Sequence, residues 1–143
     1  MFTLRCTQKL LKRMRLTVAD LKGAVTPEPT TALGDWYANL LLIQRQHLVM
    51  LVSERSRLCV LVPARDIDRL RTRFEQALME LLRDLDVPEE ALVREGQAMD
   101  QMCYGLTTEP NSRSVLGSIN DYTNALKYSD MGNRKLSEWN LYY

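Results

Sequence analysis

The chain has 143 residues, of which 45% are hydrophobic and 26% charged, and its formal net charge at pH 7 is +1. A chain of this size and composition can bury a core of its own as one globular domain. The near-zero charge excludes a molecule-wide field that would attract nucleic acid or an anionic membrane, so any such attraction has to be local. No apolar run reaches the ~18 residues of a membrane-spanning helix, and we expect no association with a membrane.

The three cysteines also narrow the class of protein. Cys6, Cys59 and Cys103 are odd in number and widely spaced, which matches neither a disulfide framework nor a zinc motif. We expect reduced thiols that behave as small buried hydrophobes, as in a reducing cytosol. Because the chain also opens directly on a strand-like pattern, the sequence predicts a cytoplasmic protein.

The first 22 residues combine a strand with a basic helix. Apolar and polar residues alternate over residues 2–7, which predicts a strand with one solvent-exposed face. Residues 8–16 then place apolar residues on one side of a helix and four cations around the other, at Lys9, Lys12, Arg13 and Arg15. Residues 1–22 hold six cations and the single anion Asp20, so this segment carries +5 and the remainder −4. Such a helix can bind nucleic-acid phosphate without sequence preference, or it can simply be a solvated face.

The middle of the chain determines the fold class. A connector with two prolines, residues 23–29, precedes three runs of β-forming residues at 36–43, 47–52 and 58–62. The connections between the runs are short enough for antiparallel hairpins, so they predict a meander. In the second and third runs both alternating sets of side chains are apolar, which is typical of strands covered on both faces.

The last part of the chain supplies helices to cover that meander. Apolar residues follow a helical period over residues 65–85, Pro88 starts a further helix, and residues 112–128 form another amphipathic helix after a possible strand at 101–107. We therefore predict a single α+β domain over residues 1–128, followed by a tail at 129–143. Its sheet is mixed or mostly antiparallel, with about five strands, the 36–62 meander at the centre, and about four packed helices.

Polar residues near the start of the last helix form one candidate site. Asn111 to Ser114 offer the backbone amides, hydroxyls and guanidinium of an anion site, with Arg113 and Ser114 as ligands, although capping alone explains the serines. Gly117 lies on the same side of this helix as Asn120, Asp121 and Asn124. A glycine there would admit a ligand or another backbone, or it would relieve a tight internal contact.

A second candidate site involves carboxylates. Asp35, Glu54 and Asp121 are candidate catalytic residues of a metal-dependent phosphodiester hydrolase, provided that they converge within about 5–6 Å. Asp35 as a turn former and Asn39 bonded to local backbone are the alternative interpretations. His47 is the only histidine, and the sequence contains no zinc motif, no Gly-x-Ser-x-Gly elbow and no phosphate-binding glycine loop. We expect no resident metal or cofactor.

Trp36 and Tyr37 follow Asp35 directly and suggest a stacking platform. Aromatic rings hold unpaired bases in many single-strand binders. A core position for Trp36 at the start of a strand is the alternative.

Several blocks of the sequence resemble a known family. The blocks are Leu-Gly-Asp-Trp-Tyr-Ala-Asn at 33–39 and Ser-Val-Leu-Gly-Ser-Ile-Asn-Asp at 114–121, with supporting matches at 2–13, 52–55 and 61–65. They resemble a family of short bacterial proteins defined only as a domain of unknown function, over about Phe2 to Tyr128. The resemblance implies a bacterial origin and one domain, and it supplies no activity, cofactor or site residue.

The sequence favours a non-catalytic binding module over an enzyme. Its ligand would be a protein partner or an anionic group such as nucleic-acid phosphate, bound by residues from the sites above: Arg13, Trp36, Asn39, Arg113, Ser114, Asn120 and Asp121. The hydrolase is one alternative. The other is structural self-association of a monomer or homodimer through the tail residues Trp139, Tyr142 and Tyr143.

Overall fold

The computed structural model describes residues 1–21, 27–107 and 112–127. Within these residues there are five strands: β1 (Phe2–Cys6), β2 (Trp36–Ile43), β3 (Gln46–Ser53), β4 (Cys59–Pro63) and β5 (Met102–Leu106). They also contain five α-helices: α1 (Gln8–Arg13), α2 (Val18–Leu21), α3 (Leu70–Asp84), α4 (Glu89–Ala98) and α5 (Ser112–Lys127). A 3₁₀ turn, Ile67–Arg69, precedes α3. The predicted tail at 129–143 lies outside the described residues.

The strands form one mixed sheet in the order β4-β3-β2-β1-β5. β2, β3 and β4 pair antiparallel, and their apolar runs make the central meander that the sequence predicts. β1 lies between β2 and β5 and runs parallel to both. The predicted α+β class with a mixed sheet of about five strands is confirmed, and three of the five described helices are long.

One face of the sheet carries the larger core. Its side chains include Phe2, Leu4, Trp36 and Leu40, which pack with Leu10 and Leu11 of α1 and with residues of α3 and α4. Phe74 of α3 lies at the centre, with its ring centroid 4.8 Å from that of Trp36 and 6.2 Å from that of Phe2, both edge to face. The helical period of α3 therefore buries its apolar stripe on this face.

The opposite face of the meander is covered by α5. Val115, Ile119 and Leu126 of α5 are buried against a second apolar set from β2, β3 and β4 that includes Tyr37 and Met50. Both faces of the meander are thus covered, which explains why β3 and β4 are apolar at consecutive positions.

Two helices begin or end differently from the sequence pattern. α1 ends at Arg13 instead of residue 16, and Arg15 has φ 62°, a left-handed conformation that stops a helix. α3 begins at Leu70 instead of residue 65, because Asp66 has φ 51° and a 3₁₀ turn intervenes. These changes leave the apolar faces of both helices on the core.

Candidate functional site

Asp35 lies buried at the entry to β2 and joins that strand to β1. Its Oδ1 accepts a hydrogen bond from the Thr3 backbone N–H at 2.8 Å, and its Oδ2 lies 3.3 Å from Nη2 of Arg5. The two side chains of this ion pair are only 5% and 10% exposed. Asp35 therefore links β2 to β1 through one backbone hydrogen bond and one buried ion pair.

Glu54 is close to Asp35, but the contact runs through the backbone. The Glu54 N–H donates to the Asp35 carbonyl at 2.9 Å, and the Asp35 N–H approaches Glu54 Oε2 at 3.4 Å. Asp121, the third candidate carboxylate, is exposed on α5. No group of three or more His, Cys, Asp or Glu side chains in the described residues is placed to hold a metal ion, so these three carboxylates do not form the cluster that the hydrolase hypothesis requires.

The loop before Asp35 is held by residues that the sequence interpretation missed. Glu95 of α4 is buried, and its two oxygens accept hydrogen bonds from the N–H groups of Ala32 at 2.8 Å and Leu33 at 3.0 Å. Arg55 donates to the Thr31 carbonyl of the same loop at 3.0 Å. Glu95 lies between Leu92 and Met99 on the side of α4 where the helical period places apolar residues. A charged residue at such a position is the feature of the sequence that indicates a buried polar contact.

Trp36 and Asn39, the other two candidates on β2, are integrated into the fold. Trp36 is fully buried against Phe74, so its ring is not exposed to stack on a base. Asn39 accepts a hydrogen bond at Oδ1 from the Thr7 hydroxyl at 2.9 Å, and Thr7 in turn caps α1. Both side chains are therefore engaged in contacts within the fold.

The outward face of α5 brings together four other candidates. Arg113, Ser114, Asn120 and Asp121 are all exposed there. The Ser114 hydroxyl accepts a hydrogen bond from Nη2 of Arg57 at 2.8 Å, which ties the start of α5 to the β3–β4 turn. An added Cβ at Gly117 would meet nothing within 4 Å, so packing against the described residues does not require this glycine.

The exposed side of α1 forms a separate basic surface. Lys9, Lys12 and Arg13 are spaced i, i+3, i+4 and therefore share one side of the helix, opposite the buried Leu10 and Leu11. Arg15 is also exposed and follows directly after the helix. No described carboxylate forms an ion pair with any of these four side chains. We call Lys9, Lys12, Arg13 and Arg15 the α1 basic surface.

The described thiols are free and mostly buried. Burial raises the pKa of Cys6 and of Cys59 to about 12. Cys103 is half-buried on β5. Thiols with a pKa this high carry little thiolate at neutral pH, so Cys6 and Cys59 are not nucleophiles in the folded protein.

The fold defines the chain as an α+β protein in which a five-stranded mixed sheet packs between helices. The chain belongs to the family described as "Domain of unknown function (DUF6933)", whose model matches residues 3–142. The predicted resemblance to a family of this kind is therefore confirmed, and the match extends over most of the segment predicted as a tail. No curated protein and no solved structure matches the chain. Among the described residues, no helix has the length and apolar character needed to span a membrane.

Proposed function

We propose that this protein is a non-catalytic binding module for an anionic ligand, namely nucleic-acid phosphate, and that the α1 basic surface makes the contact. The observation that supports the proposal is the set of four exposed cations on and beside one short helix with no acidic partner among the described residues. A cation without an intramolecular partner can exchange its counterions for phosphate, which favours binding.

The geometry of the surface suits a chain of phosphates. Residues three and four apart on a helix have Cβ atoms about 5–6 Å from each other, so Lys9, Lys12 and Arg13 form a compact row. Residues 1–22 carry +5 while the rest of the chain carries −4. This asymmetry would orient an anionic ligand toward α1 and away from the remaining surface.

Binding without hydrolysis is favoured by the placement of the carboxylates. Asp35 is committed to the ion pair with Arg5, and Glu54 to the backbone of Asp35. Asp121 lies on α5 and is not grouped with them. The three carboxylates of the hydrolase hypothesis are therefore either engaged in contacts within the fold or exposed at a different place on the surface.

The test is a titration of the full-length protein against a fluorescently labelled 20-base-pair DNA duplex, read by anisotropy. With three or four phosphate contacts, a slope of about −0.9 per contact predicts that affinity falls roughly 40- to 150-fold between 50 and 200 mM salt. A Lys12→Ala/Arg13→Ala variant should bind more weakly and show a shallower salt slope. The matched control is Arg83→Ala/Arg94→Ala, which removes two exposed cations from α3 and α4. Equal affinities of the two double variants would refute the proposal.

A protein partner on the outward face of α5 is a second candidate, favoured by Gly117. Glycine inside a helix costs about 1 kcal/mol relative to alanine, and no described neighbour explains it here. A close-packed partner would explain it. A Gly117→Arg variant should fold normally and lose that partner in affinity capture from producing cells, whereas Gln97→Arg on the exposed side of α4 should retain it.

Three other features remain predictions. These are the cytoplasmic location, the bacterial origin, and the choice between monomer and homodimer. Self-association through Trp139, Tyr142 and Tyr143 concerns residues outside the described ranges. Light scattering of the full chain and of a version that ends at Lys127 would compare their masses, and equal masses would exclude those residues as the contact.

A further inference from the structure

The two edges of the sheet differ in how completely they are covered. β4 forms one edge, and all of its residues except Pro63 are buried; this proline has no N–H to offer a further strand. β5 forms the other edge, and Gly105 alone of its residues is buried. Met102, Tyr104 and Leu106 are half-buried at the border of the larger core. The apolar core therefore reaches the β5 edge without being fully enclosed there.

The hydrogen bonds between β1 and β5 determine which backbone groups of β5 face outward. The two strands run parallel, and the Phe2 N–H donates to the Gln101 carbonyl at 3.1 Å. Alternate residues of a strand turn their N–H and C=O groups toward the same neighbour, so the odd-numbered residues of β5 bond to β1. The even-numbered residues point their backbone groups away from the sheet. These are Met102, Tyr104 and Leu106.

The outward backbone groups of β5 are largely unpaired within the part of the chain that the structure describes. The Leu106 carbonyl lies 3.5 Å from Nη1 of Arg5, while the backbone groups of Met102 and Tyr104 bond to no described residue. α2 contacts β5, and its Leu21 packs against the larger core, but no described group of α2 hydrogen-bonds the strand. β5 also lacks the charged residue or proline that commonly protects an edge strand. This edge can therefore pair with a further strand.

We propose that β5 pairs antiparallel with β5 of a second copy of this chain, so that the two sheets join into one. The inference is independent of the proposed function. A twofold axis perpendicular to the sheet at Tyr104 places Met102 of one copy opposite Leu106 of the other. The outward N–H and C=O groups of the two strands then meet in hydrogen-bonded pairs. The three half-buried side chains of each copy lie on one face of the joined sheet, where they extend the larger core.

The length and chemistry of β5 favour a second copy over a different partner. The strand carries no charge, so no like charges oppose each other when it pairs with itself. A partner of the same length satisfies the outward groups of both strands at once. The contact is isologous and closes after two copies, which is the commonest form of assembly among soluble proteins.

The test compares two double variants of the full chain that lose the same two side chains. In Met102→Lys/Leu106→Lys, each lysine would face a lysine of the second copy, and like charges directly opposite each other destabilise a strand pair. In Met102→Lys/Leu106→Glu, each lysine would face a glutamate of the second copy instead. The two positions are about 13 Å apart along one strand, so their charges do not pair within one copy. The second variant is therefore the matched control for the first.

Light scattering over a dilution series measures the mass of each protein, and circular dichroism checks that both variants fold. The wild type should reach twice the 16.5 kDa of one chain. The dissociation constant of the lysine–lysine variant should exceed that of the lysine–glutamate variant roughly 4- to 800-fold, because two cross-strand pairs change from attractive to repulsive. A wild type that stays monomeric would overturn the proposal. Equal dissociation constants of the two variants would also overturn it, because the contact would then lie away from β5.

Hydrogen exchange of the wild type decides the question if the variants do not fold. The amides of the three outward residues should exchange more slowly as the protein concentration rises, because the second copy binds them. The amides of Cys103 and Gly105 face β1 and should change less. Exchange of the Tyr104 amide at a rate independent of concentration would overturn the proposal.

Discussion

Replacement of Asp35 by asparagine tests whether the buried ion pair fastens the sheet. Asparagine has the same shape and can still accept the hydrogen bond from Thr3 N–H, which is 2.8 Å from Oδ1 in the native protein. The substitution removes the negative charge and replaces Oδ2, which accepts the hydrogen bond from Arg5 Nη2 at 3.3 Å, with an NH2 group that can only donate. The variant therefore removes the contact with Arg5 and keeps the contact with Thr3.

The magnitude follows from the burial of the pair. Both side chains are at most 10% exposed, so solvent screens their attraction little. Loss of one partner from a buried pair costs about 3–5 kcal/mol, because the other charge stays in a poorly solvated position. For a chain of this length, that corresponds to a decrease in Tm of roughly 10–15 °C.

Urea denaturation followed by circular dichroism measures this change, and the chain provides a matched control. Asp66 and Arg73 also form an ion pair, at 3.4 Å, but the Asp66 side chain is 72% exposed. Asp66→Asn should cost at most about 1 kcal/mol, since exposed pairs contribute little and asparagine tolerates the positive φ of this residue. Losses below 1 kcal/mol in both variants would refute the reasoning that burial makes the Arg5–Asp35 pair strong.

Three further predictions concern stability. Gly117→Ala should raise the free energy of unfolding by about 0.8–1 kcal/mol, because nothing described lies within 4 Å of the added methyl group; a decrease in urea denaturation would contradict this. Glu95→Ala should cost about 3 kcal/mol through the loss of two charge-assisted hydrogen bonds, whereas Glu90→Ala on the exposed side of α4 should change stability by less than about 0.5 kcal/mol. The thiols of Cys6 and Cys59 lose their protons above pH 9 in the unfolded chain but only near pH 12 in the folded chain. The free energy of unfolding is therefore unaffected by these thiols below pH 9 and decreases as the pH rises from 9 to about 12. Each thiol should contribute a slope of about 1.4 kcal/mol per pH unit, and an equally steep decrease in Cys59→Ala would count against the assignment.

The sequence predicts the meander well because the residues that specify it are close to one another along the chain. In β3 and β4 consecutive apolar residues specify strands that are buried on both faces, and the short connections allow only adjacent antiparallel pairing. The α5 stripe of Val115, Ile119 and Leu126 similarly predicts which side of the helix packs. These features depend on residues within a few positions of one another.

The candidate site was harder to predict because its contacts are distant in sequence. Alternation identifies β1 as a strand, yet it does not show that β1 pairs with β5, about a hundred residues later. The same limitation applies to Arg5 and Asp35, which meet only because β1 and β2 pair in register. Asp35, Glu54 and Asp121 were grouped by residue type, whereas the fold assigns the first two to backbone and ion-pair contacts.

The position of β1 inside the sheet affects how the chain folds during its synthesis. β1 is synthesised before the other four strands of the sheet, and its second neighbour β5 begins only at Met102. At about 5–20 residues per second, translation needs roughly 5–20 s to bridge that interval. Throughout this time one edge of β1, with its apolar Phe2 and Leu4, has no strand to pair with. An open apolar edge of this kind can pair with another chain, and the pairing of β5 with β1 closes it.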